Sequence, residues 1–286
     1  MKSLIIFSPA KTNLFLKVLG KRPDGFHELL TVFHRLSLCD RLILKKLPVG
    51  QFSLTANHPA LRKKKDNLIS KAYDLLRRYT PWKGGVAVKL EKNIPVAAGL
   101  GGGSSNAAHF LLGMNRLFNL GLPLKTLVRL GAELGSDVAF FLYDVNQAIG
   151  TGRGEKINPF SSRHKFWFVL AISRFGISTA LVYQRLKARA LTRISHDATI
   201  TSAFLSRNRD GFPLLWNDLF PISSHIKPEL KRIDALFDQF GVARRLMSGS
   251  GPTMFSIHKS KREAQRVAQA FRRRSRGTNV FVCQTY

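Results

Sequence analysis

The chain has 286 residues, 44% hydrophobic, 10% aromatic and 22% charged, a composition that excludes a disordered or fibrous protein and leaves room for two ordinary domains. Its 46 Lys+Arg against 17 Asp+Glu give a net charge of +29, which suits an acidic partner such as nucleic acid, anionic lipid or phosphorylated small molecules, or else is a basic solvated surface set by general composition. The two cysteines, Cys39 and Cys283, are far apart and form no CxxC, which argues against a disulfide framework or a zinc site.

No apolar run is long enough to cross a bilayer. The opening "MKSLIIFSPAK" reads neither as a secretory signal nor as a transit peptide, so the expected location is the cytoplasm. Basic residues are spread along the chain, with short clusters at 62–65 and 272–276. No zinc-finger spacing, basic zipper or RRM-like motif accompanies them, so nucleic acid is not the expected main partner.

In chain order, residues 4–7 are apolar and strand-prone. After Pro9, "KTNLFLKV" alternates, with Leu14, Leu16 and Val18 on one face and Asn13, Phe15 and Lys17 on the other, where Lys11 joins Asn13 if the strand already runs through it. "RPDGF" is a turn, since proline presets φ and Gly25 accepts a positive one. Strands follow over 29–38 and 42–47. Asp66 or Asn67 caps a helix with apolar positions Leu68, Ala72, Leu75 and Leu76.

Residues 86–90 form a strand that runs into "PVAAGLGGGSS" at 95–105. A helix then carries Ala107, Phe110, Leu111, Met114, Leu117 and Phe118 on one face and ends at Gly121. A second helix covers 124–134, and "SDVAFFLY" opens a compact apolar piece. "GTGRG" at 150–154 is the expected domain boundary.

Beyond it come a strand in "KFWFVLAIS", a helix over 179–191, loops and short helices over 193–221, and a helix over 229–240. "ARRLMSGSGPTMFSI" reads as strand, tight turn, strand. A helix over 261–273 has the stripe Ala264, Val267, Ala268 and Phe271, and a strand closes the chain. This irregular alternation predicts an α+β protein of two domains, 1–154 and 155–286.

A strand, a glycine run and then a helix make a phosphate-binding arrangement. Absent Cβ atoms let backbone N–H groups approach anionic oxygens, and the helix N-terminus adds about half a positive charge. The candidate cradle is Pro95, Val96, Ala97, Ala98, Gly99, Leu100, Gly101, Gly102, Gly103, Ser104 and Ser105, whose serines can donate hydroxyls to phosphate or help hold Mg²⁺. It is not a P-loop, because no lysine follows the glycines. It is not a dinucleotide fingerprint either, because Ser104 stands at the third glycine and no acid follows about 20 residues on. A plain surface turn is the alternative. Such a loop must borrow its cation, and Lys11, unless merely solvated, is a candidate.

Three stretches in order, "SPAKTNLFLKVLGKRPDGFHEL", "PVAAGLGGGSSNAA" and "LMSGSGPTMF", resemble the three motifs of the GHMP kinases. The similarity runs from Ser8 to Phe255. "RPDGFHEL", "GSDVAFF" and "GISTALVY" resemble the branch whose acceptor is a cytidine diphosphate-linked polyol. The resemblance implies direct ATP-dependent phosphorylation of a polyol hydroxyl, with ATP and Mg²⁺ as cofactors. It also implies an N-terminal nucleotide-binding domain, a C-terminal ferredoxin-like α/β sandwich domain and an active site in the cleft between them.

It further implies roles for particular residues. Asp137 would be the catalytic base, placed beside an apolar run; the alternative is that Ser136 or Asp137 caps the next helical turn. Lys11 would be the catalytic cation and Asn13 would bond the polyol. Phe26 and His27 would grip the cytosine and Tyr183 would stack on its opposite face, against plain core or surface roles for all three. Asn67 would lie near the adenine, or simply cap its helix. The turn at 248–251 would close near the active centre, or be a purely structural turn.

The family usually reads "DVPFF"; Ala139 replaces the proline here, which loosens one backbone constraint. Another GHMP kinase with a small acceptor, or a basic nucleic-acid-binding protein, are the competing readings. Metal ligands and oligomeric state are not assigned by the sequence.

Overall fold

A computed structural model describes residues 3–61, 67–161, 165–186 and 212–286. The basic run at 62–65, Asp66 as a cap, the last part of the helix expected over 179–191 and most of the 193–221 segment lie outside the described residues. Among the described residues no helix is long and apolar enough to cross a membrane.

The strand pieces read on either side of Pro9 are one strand, β1 (Ser3–Lys21). Its burial alternates over the first residues, then becomes continuous from Ser8 to Val18. The alternation read at 13–18 therefore separates two covered faces rather than a wet face from a dry one. β2 (His27–Leu47) is equally long. By contact density the chain divides into two units: Met1–Ala10, Leu38–Val96 and Gly101–Val145 form the first, and Lys11–Ser37, Ala97–Leu100 and Asn146–Tyr286 the second.

In the first unit, β3 (Phe52–Ala56) pairs parallel with β4 (Gly85–Glu91), which pairs antiparallel with the Arg41–Leu47 end of β2. Four helices accompany them: α1 (Leu68–Tyr79), α2 (Gly102–Leu117), α3 (Leu124–Leu134) and α4 (Val138–Leu142). Helix α2 sits so close to the sheet that a Cβ on Gly113 would lie 2.4 Å from Ile6 and 2.6 Å from Leu44. All five residues of α4 are buried.

In the second unit, β5 (Gln147–Thr151) and β6 (Lys156–Phe160) form a hairpin on Thr31–His34 of β2. A separate antiparallel sheet contains β7 (Trp167–Ser173), β9 (Arg245–Met247), β10 (Met254–His258) and β11 (Thr278–Gln284), in the order β11-β7-β10-β9. Shorter elements are α5 (Thr179–Gln184), β8 (Trp216–Asn217) and α6 (Phe220–Ile226). Helices α7 (Glu229–Gln239) and α8 (Lys261–Arg274) pack against the sheet through Phe237 and Phe271, whose rings are 4.5 Å apart. Taken as first to fourth, the four strands lie in the order 4-1-3-2 of a ferredoxin-like sandwich.

This division differs from a split after Gly154. Gly154 lies in the turn of the β5–β6 hairpin, inside the second unit. The glycines that read as a linker close a hairpin instead: Gly152 has φ +71 and the Glu155 carboxylate accepts the Arg153 N–H at 2.6 Å.

The C-terminal residues are tied to β2 through a buried histidine. Gln147 Nε2 donates to His34 Nδ1 at 2.8 Å, which leaves His34 Nε2–H to donate to Thr285 Oγ1 at 3.1 Å. Thr285 Oγ1 also accepts the Phe166 N–H at 3.0 Å. Burial pushes the His34 imidazole down to about 3, so folded His34 stays neutral where unfolded histidine takes up a proton. The stability His34 supplies is present above about pH 6.5 and is lost as pH falls from there towards 3. Between about pH 7.5 and 5 this residue is expected to remove about 2 kcal/mol of unfolding free energy. Urea unfolding of wild type and His34→Gln at both pH values measures it; an identical pH dependence in the two proteins would refute the assignment.

Candidate active site

The glycine run leaves β4 and enters α2 through a loop whose carbonyls are held. The Ala98 carbonyl accepts from Thr253 Oγ1 at 2.6 Å, the Gly99 carbonyl from Ser248 Oγ at 2.9 Å, and the Leu100 carbonyl from the Lys11 N–H at 2.9 Å. Among the described residues, no amide from Val96 to Ser104 donates to another protein atom. Three consecutive carbonyls are thus anchored while the N–H groups remain available, the arrangement an anion needs.

Gly99 (φ +75) must be glycine, because a Cβ there would stand 2.5 Å from the Ser248 carbonyl oxygen and 2.8 Å from that of Gly251. Helix α2 begins after Gly101 with no acidic side chain in its first turn, so its dipole is not neutralised.

The turn at 248–251 meets this loop, as expected, and is itself braced. Asn217 Nδ2 donates to the Met247 and Gly249 carbonyls at 2.7 and 2.8 Å, and Ser223 Oγ donates to that of Ser250 at 3.0 Å. Sequence reasoning missed Asn217 and Ser223, since neither belongs to a motif.

Lys11 is not a solvated charge. It is buried, its ammonium donates to Asn13 Oδ1 at 2.8 Å, and it lies 5.2 Å from the centre of the Phe33 ring. Asn13 Nδ2 in turn donates to Thr31 Oγ1 at 2.7 Å, which donates to the Phe15 carbonyl at 2.8 Å. The shared strand face predicted for Lys11 and Asn13 is therefore present, and the asparagine is locked from behind. A Cβ on Gly249 would come within 3.9 Å of the Lys11 ammonium and 3.5 Å of Asn13 Oδ1, so the turn at 248–251 abuts the pair.

In the first unit the two serines differ. Ser105 is fully buried and accepts from Ser8 Oγ at 2.8 Å, so its hydroxyl faces inward and not towards a phosphate. Ser104 remains partly exposed. Asp137 stands at the N-cap position of α4, but its carboxylate makes no capping hydrogen bond; the capping role is not the one it plays. Ala139 is in the first turn of α4 and wholly buried. Proline is accommodated there because the first-turn N–H has no intrahelical partner, so alanine removes a backbone restraint.

Asn67 caps α1, its Oδ1 accepting the Ile69 N–H at 3.0 Å. Its Nδ2 is buried with no partner among the described residues, a donor left over after the capping role is met.

The three aromatic residues all lie in the second unit. Phe26 is 50% exposed, so it is no core aromatic, and the Arg153 guanidinium sits 4.6 Å from its ring centre. The structure sets the Tyr183 ring beside His27, with centroids 5.3 Å apart, where an opposed Phe26–Tyr183 clamp was expected. Burial, then the Lys21 charge, pushes the His27 imidazole below its ordinary range, which keeps it neutral with one donor and one acceptor nitrogen. Arg153 was hidden within a stretch that read as a linker. Among the described residues no cluster of three or more His, Cys, Asp or Glu is placed to hold a metal.

Residues 67–144 match the GHMP kinases N terminal domain, and residues 198–276 match the GHMP kinases C terminal domain. A 4-diphosphocytidyl-2-C-methyl-D-erythritol kinase of Bacillus cereus strain B4264 is 41% identical over 254 residues, 89% of this chain and 88% of that protein. A crystal structure of 4-(cytidine 5'-diphospho)-2C-methyl-D-erythritol kinase superimposes with a TM-score of 0.82 at 32% identity, covering 98% of both chains. A homoserine kinase from Cytophaga hutchinsonii superimposes at 0.72 with 15% identity over 100% of this chain and 95% of that one, a likeness of fold alone.

The loop backbone predicts opposite outcomes at two neighbouring positions. Ala97 holds φ +55, where an L-residue other than glycine costs about 1–2 kcal/mol. After glycine's larger folding entropy is subtracted, Ala97→Gly should raise unfolding free energy by about 0.5–1 kcal/mol. Gly99→Ala should lower it, because its Cβ would clash with the Ser248 and Gly251 carbonyl oxygens. Urea unfolding of the pair checks both, and a destabilised Ala97→Gly would show that the backbone at 97 carries no strain.

Proposed function

The chain belongs to the GHMP kinases, and from that premise we infer that it transfers the terminal phosphoryl group of ATP to the 2-hydroxyl of 4-diphosphocytidyl-2-C-methyl-D-erythritol, giving the 2-phosphate and ADP. The reaction is a step of isopentenyl diphosphate synthesis by the non-mevalonate route. The observation that carries this reading is the loop with anchored carbonyls and available amides, set in a chain similar over nearly its whole length to kinases of that substrate.

Phosphoryl transfer asks little covalent chemistry of the protein and much positioning. The amides of 96–104 and the α2 N-terminus receive the phosphates. Asn67 Nδ2 bonds the adenine. Asp137 takes the proton of the attacking hydroxyl. Lys11, held by Asn13, neutralises charge on the moving phosphoryl group, and Asn13 orients the polyol. His27 reads the pyrimidine edge while Phe26 and Tyr183 offer stacking surfaces; in nucleic-acid systems each stacked base contributes about 1–3 kcal/mol.

Mg²⁺ is usually held through phosphates, water and one or two carboxylates rather than by an all-protein cage, and the sparse acidic complement fits that mode. Ser104 Oγ, which is partly exposed at the head of α2, would help hold it, and the ion would supply charge to offset the phosphates. We place the protein in the cytoplasm, acting on small molecules.

Purified protein given ATP and Mg²⁺ with the cytidyl substrate, mevalonate, homoserine or galactose should release ADP with the first alone; turnover of another acceptor instead would reassign it within the family. Asp137→Asn should lower kcat by about 10²–10⁴-fold with unfolding unchanged. His27→Ala should raise KM for the cytidyl substrate with a smaller effect on kcat. Near-normal turnover in Asp137→Asn would remove that residue as the base.

A further inference from the structure

Asp40 lies in β2, outside every motif that identifies the family. Its side chain is 0% exposed and that of its ion-pair partner, Lys92, 4%. Asp40 Oδ1 accepts the Asn93 and Ile94 N–H groups at 2.8 Å each. Asp40 Oδ2 accepts from Asn106 Nδ2 at 2.8 Å and from the Lys92 ammonium. Lys92 also donates to Asn106 Oδ1 at 3.2 Å, and Asn106 Nδ2 donates to Ser8 Oγ at 2.9 Å.

Asn93 and Ile94 immediately precede the glycine loop, and Asn106 immediately follows it. One carboxylate therefore grips both ends of residues 95–105. Gly102 seals the same junction, since a Cβ there would lie 3.0 Å from both Ile94 and the Lys92 ammonium.

A buried ion pair is poor at stabilising a core, because apolar residues of equal volume do as well or better. Its use here is directional, as it closes a loop whose length and glycine content would otherwise leave it many shapes. We propose that Asp40, Lys92 and Asn106 are positioning residues of the nucleotide site, a buried staple that fixes the separation of the two loop ends and hence the aim of the loop amides without touching ATP. This rests on the kinase reading above. The Lys92 ammonium is pushed down by burial and back up by Asp40, so the pair is mutually dependent.

The test is an exchange of partners. In Asp40→Asn, Oδ1 still accepts from Asn93 and Ile94, but Nδ2 now faces the donors Asn106 Nδ2 and Lys92. Adding Asn106→Asp reverses the polarity and restores both the acceptor and the charge for Lys92. Binding of a non-hydrolysable ATP analogue and of the cytidyl substrate is measured by calorimetry, with hydrogen exchange over 96–104 followed in parallel.

Asp40→Asn should weaken the analogue about tenfold, leave cytidyl affinity unchanged and speed exchange in the loop. The double variant should recover most of that loss. Asn106→Ala, which spares the ion pair, gives a second reading should Asp40→Asn fail to fold; it too should weaken the analogue and not the cytidyl substrate. Unchanged analogue binding in a folded single variant, or equal weakening of both ligands, overturns the staple. Failure of the wild type to bind the analogue would instead sink the kinase reading, whereas loop exchange reports on the staple even then.

Discussion

The direction of the peptide planes in the glycine loop is the constraint on which the site depends. A peptide unit presents either its oxygen or its hydrogen to a given side, so a carbonyl fixed on one side commits the associated amide to another. Thr253, Ser248 and Lys11 fix three consecutive carbonyls. They are drawn from the last motif and the first, which explains why stretches separated by more than 200 positions read as one signature. The Lys11 backbone anchors the loop while its side chain meets Asn13, so one residue joins cradle to cation.

Such a loop is costly without a ligand. Among the described residues its amides at 96–104 have no protein acceptor, Ala97 sits at positive φ, and the first turn of α2 carries no carboxylate to balance its dipole. Each feature favours a negative charge beside the loop. The expense is tolerable because the surroundings are over-determined. Asn217 and Ser223 brace the turn at 248–251 from behind, and Thr31 locks Asn13.

What the sequence revealed and concealed follows from range. The pairing of Lys11 with Asn13 was legible because strand periodicity acts over two residues. The α8 stripe and the strand–turn–strand at 245–258 were legible for the same local reason. The serines looked alike because a dipeptide says nothing about which hydroxyl meets a buried partner; Ser8, 97 positions away, decides it. Asp40 and Lys92 were invisible, since charges 52 positions apart advertise no relation in a chain full of lysine. Gly154 read as a linker because hairpin turns and linkers draw on the same residues. Phe26 read as half of an aromatic clamp, yet it is Arg153 that covers its ring.

Scarcity gives the acids their meaning. With 17 against 46 cations, several of the acids that pair among the described residues join separate segments. Glu91 links β4 to β2 through Arg41, and Arg41 with Lys89 holds its carboxyl down to about 2. Asp234 and Asp238 of α7 hold Arg245 of β9. Glu28 and Asp24 hold Arg22 at the turn before the aromatic cluster.

The exposed face of α8 shows the complement. It carries Lys261, Arg262, Arg266, Arg272, Arg273 and Arg274, with Glu263 the one acid. Two of those cations stand in the first turn, where the helix dipole disfavours them. Its buried stripe is Ala264, Val267, Ala268 and Phe271, and at its ends Glu263 meets His258 and the Arg272 guanidinium donates to the Val280 carbonyl. The excess charge is thus carried on surfaces secured by their apolar sides, and the few carboxylates are committed where geometry matters. In such a chain an acid with no capping duty at the head of a fully buried helical turn, as Asp137 is, stands out more sharply than it would in a protein of balanced charge.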